Sequence, residues 1–192
     1  MLKRIVWAAA LGLIATFVWT FVVNGIFGFT LRVEMKPVPN EPEVYRVLKE
    51  NVVSPGAYMA NPALTPEGQF PAGEPVFSVR TSGMGHEAAG RMVLVGPAIS
   101  FITLLLAAGL LSMASPRILS RYSRRVLFVV VLGLLLAVFT NLTKIGIGGY
   151  PLHTALLLAA RDVALWAVAG LVMAWPIRAP EGAVRPSWTL PA

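Results

Sequence analysis

Residues 126–147 read VLFVVVLGLLLAVFTNLTKIGI. From Val126 to Phe139 no polar side chain interrupts the run. A stretch of about 20 apolar residues matches the hydrocarbon thickness of a bilayer. Because backbone groups inside a bilayer must be satisfied within their own segment, and because the run lacks the strict alternation of a barrel strand, it is expected to be a membrane helix. Outward from it, three more segments meet the same criterion: residues 92–114, 154–175 and 5–29. The whole chain agrees. Of 192 residues, 56% are hydrophobic and only 13% charged, where a soluble domain carries about 25% charged residues. Mean hydropathy is +0.71. A disordered chain and an ordinary cytosolic enzyme are excluded.

The flanks of these runs orient them. Arg117, Arg121, Arg124 and Arg125 crowd the link between the second and third spans, Lys3 and Arg4 precede the first, and Arg178 and Arg185 follow the fourth. Basic residues in short flanks mark the cytoplasmic side, so both termini and the 115–125 link are expected there. The segment of residues 30–91 instead balances Arg32, Lys36, Arg46, Lys49, Arg80 and Arg91 against seven glutamates. The net charge of +7 is therefore a topology signal with contact to anionic lipid, and nucleic acid is not an expected partner. The first span carries Lys3 and Arg4 like a signal peptide, but its apolar run is too long, holds Trp7 and Trp19, and lacks a small-x-small cleavage site. A retained anchor is expected.

The organisation that follows is residues 1–29 as N-terminus and first helix, 30–91 as an extracytoplasmic segment, 92–176 as helices two to four, and 177–192 as a loosely ordered cytoplasmic tail with Trp188 at the interface. The fold class is an all-α membrane protein of four transmembrane helices with a small α+β segment between the first two. Within that segment, residues 40–51 read as a helix. Asn40 is placed to cap it, Glu43 to complete a capping box, and Pro42 suits the first turn. Val44, Val47 and Leu48 share one face, with Tyr45 beside them. Ser54-Pro55-Gly56 ends the helix. Residues 57–60 and 75–80 are strand-like and predict a hairpin, marginal alone, that rests on the membrane domain or on a partner. A helical stretch from His86 extends the second span outward.

Three sets of residues are candidates for function. In the first span Ala8, Gly12, Thr16, Thr20, Asn24 and Gly28 recur every four residues as a small and polar stripe. Small residues let helices approach closely, and Thr and Asn can hydrogen-bond across the contact. The stripe is read first as packing within the chain's own bundle and second as contact with another subunit. The second set is Asn141, Lys144, Arg161 and Asp162, polar residues at similar depth in spans three and four, with Asn24 near the outer end of span one. Charges at such depth face a bundle interior or a partner. Lys144 is expected to pair with Asp162, leaving Arg161 for Asn141, Asn24, or a lipid or quinone headgroup. A structural ion pair, a functional pocket or proton path, and a subunit contact are the three readings of this set. The third set is His86 and His153, the only histidines, at the outer ends of helices two and four. Two imidazoles on facing helices can hold a b-type haem, and one can ligate chlorophyll or, with Glu87, a metal. A satisfied interfacial histidine is the ordinary expectation, and no cofactor is required.

Conventional catalytic signatures are missing: there is no phosphate-cradling glycine loop with a following lysine, no H-E-x-x-H and no G-x-S-x-G. Cysteine is absent, which excludes disulfides, thiolate catalysis and iron–sulfur clusters. Gly146-Ile147-Gly148-Gly149 follows a helix and reads as a turn.

Phe17-Val18-Trp19, Pro39-Asn40-Glu41, Val44, Leu48-Lys49-Glu50-Asn51-Val52 and Pro55-Gly56-x-Tyr58 resemble a group of uncharacterised bacterial inner-membrane proteins of four spans, most densely over residues 17–60. The resemblance implies a bacterial inner membrane with residues 30–91 in the periplasm. The group carries no assigned activity, so no catalytic residue comes with it. Claudin-like proteins share the loop order, but their cysteine pair and Trp-Leu-Trp signature are absent here. The expected function is that of a non-catalytic accessory, assembly or stabilising subunit of a larger membrane complex, respiratory or photosynthetic, whose partners are lipids and other subunits. The alternative is a small membrane enzyme, carrier or redox protein using the outer-leaflet polar pocket.

Overall fold

The structure, a computed structural model, describes residues 1–179. Arg185, Trp188 and the rest of the tail from residue 180 lie outside the described residues. Four helical spans, Leu2–Ile26, His86–Ser112, Tyr122–Leu142 and Leu152–Met173, are long and apolar enough to cross a membrane. Large apolar side chains such as Trp7, Phe17, Ile99, Leu127 and Leu156 point outward from them. That surface suits lipid rather than water.

The ends of the spans differ from the expected ones for local reasons. The first comprises α1 (Leu2–Thr20), which widens into a π-turn over Phe21–Ile26. It stops before Phe29 because Gly28 takes a left-handed φ of 62°, a conformation glycine adopts without a Cβ clash. A second π-turn, Thr30–Glu34, follows. The second span is broken. A short turn at His86–Ala88 leads into α3 (Ala89–Met92), and α4 (Val95–Ser112) begins only after a kink at Val93-Leu94. Pro97 explains the kink, since it lacks the N–H that would bond the Val93 carbonyl and its ring crowds that group. The third span is α6 (Tyr122–Ala137) with a π-turn at Val138–Leu142. It ends before Ile147 because Gly146 and Gly148 have positive φ and close a tight turn, with Tyr150 N–H donating to Lys144 O. The fourth is α7 (Leu152–Met173), entered through Pro151. The one-turn helix α5 (Pro116–Leu119) links α4 to α6.

In the segment between the first two spans α2 (Glu41–Asn51) forms as expected, but the capping box does not. Asn40 sits in the left-handed region at φ 55° and makes no side-chain cap. Glu43 is taken by Arg46, which donates to both its oxygens and to Glu50. The guanidinium holds the Glu43 carboxyl below its ordinary range, and both glutamates raise Arg46. Strands β1 (Gly56–Ala60) and β2 (Phe77–Thr81) pair antiparallel, with Tyr58 opposite Val79. Tyr58 OH donates to Ser54 O at 2.6 Å and pins the turn before β1. The hairpin rests on the α6–α7 turn: the bare face of Gly148 looks onto Met59, Val76 and Ser78.

In the bundle α1 packs against α4 and α7, and α7 against α6, while α4 and α6 barely touch. The ring of helices is therefore open along one side. Its core lies toward the end that carries the arginines: Ala8, Ala9, Leu104, Ala107, Ala108, Leu111, Val129, Ala169 and Met173 are buried together. Ile177, beyond α7, is also fully buried there. At this arginine end Arg125 is only 6% exposed. Its Nε donates to Ala174 O at 2.9 Å and its Nη1 to Leu119 O, so one guanidinium closes the C-terminal ends of two helices. Cations are favoured at such ends, where carbonyls lack intrahelical partners.

The closest approach is between α6 and α7. A Cβ on Gly133 would overlap Cβ and Cγ of Trp166, and one on Gly170 would sit 3.2 Å from Val129 Cβ and 3.3 Å from Val126 O. Arg125, Val129, Gly133, Ala137 and Asn141 are all buried at four-residue spacing, a stripe of the kind that lets membrane helices approach closely.

Candidate functional site

At the other end of the bundle, nearer the hairpin, the polar residues of three elements meet. Asp162 stands ten residues into α7, about 15 Å along it. Its Oδ1 accepts from Nε and Nη2 of the neighbouring Arg161, at 3.0 and 2.9 Å. Its Oδ2 accepts from Asn141 Nδ2 at 2.8 Å. Adjacent helix positions diverge by about 100°, so the Arg161 side chain curls back to reach its neighbour. Its other arm, Nη1, donates to Glu34 Oε2 at 3.3 Å, and the guanidinium lies 5.5 Å from the centre of the Phe29 ring. The chain Glu34–Arg161–Asp162–Asn141 thus ties the turn after α1 to α7 and α7 to α6. Each charged side chain in it is only 24–28% exposed, and Asn141 is 3% exposed. Asn141 sits in the π-turn of the third span, where its Nδ2 also donates to Ala137 O and Thr140 Oγ1. Charges held in a helix bundle are expected to pair in this way.

The arrangement corrects the expected pairing. Lys144 does not meet Asp162, because the third span ends at Leu142 and Lys144 falls in the turn beyond it, with Nζ 5.8 Å from the Tyr150 ring centre. Arg161 takes Asp162 itself, and Asn141 reaches Asp162 rather than Arg161. Asn24 stands apart and accepts from Thr30 Oγ1 at 2.9 Å.

The stripe on the first span divides. Ala8, Gly12 and Thr16 are buried, and a Cβ on Gly12 would meet Met173 Cγ at 2.8 Å and Leu104 Cδ2 at 3.4 Å. This half packs within the chain's own bundle. Its hydroxyl does not bridge helices, however, since Thr16 donates to Leu13 O on its own helix. Thr20 is exposed, Asn24 half-buried, and Gly28 forms the turn.

His86 and His153 are both exposed. His153 Nε2 lies 3.2 Å from Thr154 Oγ1. Glu87, the acidic neighbour of His86, accepts from Gly85 N–H. No cluster of three or more His, Cys, Asp or Glu side chains suited to a metal occurs among the described residues.

Beside the polar chain lies a cavity of about 970 Å³ between α1, α4, α6 and α7. It exists because the half of α4 that follows the Pro97 kink leans away from the bundle. In residues 93–103 only Pro97 and Phe101 are even half-buried, whereas Leu104, Ala107, Ala108 and Leu111 beyond them are in the core. The cavity is open to the outside, and Ile14, Phe17 and Val18 of α1 with Val93 and Ile99 around the start of α4 form the exposed part of its lining. Its walls are mostly aliphatic and aromatic, with Trp166 at the floor and hydroxyls from Thr16, Thr20, Ser100, Thr103 and Thr140. Asp162 is the one charged side chain lining it among the described residues.

Five contributing residues do not stand out in the sequence reading: Glu34, counted there as a loop charge; Arg125, counted as a topology signal; Gly133 and Trp166; and Pro97. Two had a visible sign: Gly133, in the four-residue spacing of Val129, Gly133, Ala137 and Asn141, and Pro97, a helix breaker inside an apolar run.

Comparison with protein-family models, with curated proteins and with solved structures returns no match for this chain.

Proposed function

We propose that the chain is a non-catalytic integral protein of a bacterial inner membrane, with both termini cytoplasmic and residues 30–91 periplasmic, serving as an accessory, assembly or stabilising subunit of a larger complex, respiratory or photosynthetic. The observation that carries this reading is the extracytoplasmic segment. From residue 30 to residue 87 no residue is buried. A helix and a two-stranded hairpin without a core are marginal by themselves, and they present Tyr45, Val47, Val53, Met59, Phe70 and Phe77 to the outside. Apolar surface on ordered elements of this kind is what a partner subunit covers. Orientation rests on Lys3, Arg4, Arg117, Arg121, Arg124 and Arg125, which lie on the termini side of the bundle.

The test is extraction in mild detergent followed by native mass measurement. A particle of fixed composition, well above the 20.6 kDa chain and containing other proteins, is expected. A lone monomer or a homo-oligomer refutes the reading. The chain has no cysteine, so Ser82→Cys and Ser115→Cys report topology directly: an impermeant thiol reagent applied to spheroplasts labels the first and spares the second.

A second reading, a small membrane enzyme, carrier or redox protein, is favoured by one observation, the lateral cavity with Asp162 in its wall. It predicts that Asp162→Asn abolishes a substrate- or quinone-dependent activity while the protein stays intact.

A further inference from the structure

The lateral cavity has a definite chemistry. Thr16 Oγ1 donates its proton to Leu13 O, Thr103 to Ile99 O and Thr140 to Leu136 O. Their hydroxyl protons are thus turned back onto their own helices, and what remains to them is acceptor capacity. Asp162 adds to it. An ionised carboxylate offers about four acceptor positions, and three are filled, two by Arg161 and one by Asn141. The fourth is left on Oδ2. Charge points the same way, because the Arg161 guanidinium stands between two carboxylates, Glu34 and Asp162. The cluster carries one more acidic than basic group, and Lys144 is engaged elsewhere over Tyr150. At about 970 Å³ the volume lies at the upper end of the range for small-molecule sites, about 300–1,000 Å³. Apart from these groups and the hydroxyls of Thr20 and Ser100 the wall is apolar, and its exposed part, Ile14, Phe17, Val18, Val93 and Ile99, lies where a hydrocarbon tail would meet lipid.

We infer that the cavity binds a long-chain amphiphile whose polar end donates hydrogen bonds, a hydroxyl or an ammonium head, with that head at Asp162 Oδ2 and the tail leaving along the exposed apolar lining of α1 and α4. An anionic head is selected against, because it would stand beside an acidic cluster; of the lining hydroxyls only those of Thr20 and Ser100 keep a proton to offer it. The inference does not depend on whether the protein is a subunit or a carrier.

The test uses the full chain in mild detergent and three probes of one chain length: 1-hexadecanol, hexadecylamine and hexadecanoate. Adducts are counted by native mass spectrometry. One molecule of alcohol or amine per chain is expected, bound at least ten-fold more tightly than the carboxylate. Ser100→Phe fills the cavity from the unpacked half of α4, so it leaves the core intact and removes binding at least ten-fold. Ala98→Phe, on the same exposed half but outside the lining, retains it. Equal binding of hexadecanoate, retention of binding in Ser100→Phe, equal loss in both variants, or no binding of any probe each overturns the inference. These outcomes are read from adduct mass, separately from the assembly mass that tests the subunit reading.

Discussion

Replacing Gly133 with alanine adds one methyl group at the tightest point of the bundle. The atoms it meets are Cβ and Cγ of Trp166, with Cδ1 at 2.9 Å. A rotamer change cannot move Cβ, so α6 and α7 must separate along their length. Separation also loosens Val129 against Gly170 and stretches the Arg125 bond to Ala174 O, both on the same seam. Overpacking of this kind costs about 1–3 kcal/mol. For a chain of this size each kcal/mol is worth about 2–4 °C in Tm, so Gly133→Ala is expected to melt roughly 2–12 °C lower. Tryptophan fluorescence during thermal unfolding in detergent, to which Trp166 contributes with the four other tryptophans, measures the effect. The control is Gly109→Ala on α4, where nothing lies within 4 Å of the added atom. There the gain in helix propensity is up to about 1 kcal/mol, and Tm is unchanged or higher. If the two variants melt alike, the close α6–α7 seam is wrong.

Further outcomes follow from the same contacts. Asp162→Asn removes the charge that joins Arg161 to Asn141. With the side chains about one-quarter exposed, the cost falls between exposed and buried pairs, about 2 kcal/mol, and is read as a lower Tm with the assembly retained; an unchanged Tm refutes the network. Arg125→Ala leaves the carbonyls of Leu119 and Ala174 without their charged donor, at about 1.5–3 kcal/mol per bond, and is expected to speed proteolysis at the arginine end. Arg125→Lys recovers part of that protection, and equal cleavage of wild type and both variants would count against the lock. On α2 the Glu43 carboxyl is held below its ordinary value of 4.5 by Arg46, so its contribution is complete above that value and fades as pH falls through the lowered one. Amide exchange of residues 41–51 should quicken in that acidic window in the wild type and show no such step in Arg46→Gln.

Local sequence settles the number of spans, the helix of residues 41–51 and the hairpin between the first two spans, and the inward face of the first helix. These follow from local quantities: the length of an apolar run, the period of small residues at Ala8, Gly12 and Thr16, and the Pro-Gly punctuation around Tyr58. The tertiary structure decided everything that depends on where a helix stops and how it rotates. Lys144 lost Asp162 because Gly146 and Gly148 end the third span early. Glu34 gained Arg161 because Gly28 turns the chain over α7. Arg125, one of four similar arginines in its link, alone points inward, because its place on the helix aligns it with Val129 and Gly133 against α7. The cavity has the same origin. Pro97 marks a kink in the sequence, but the direction in which the freed half of α4 leans is set by packing of Leu104, Ala107 and Leu111 at the far end. Composition and period report what a helix needs to bury; only the assembled bundle settles which neighbour buries it.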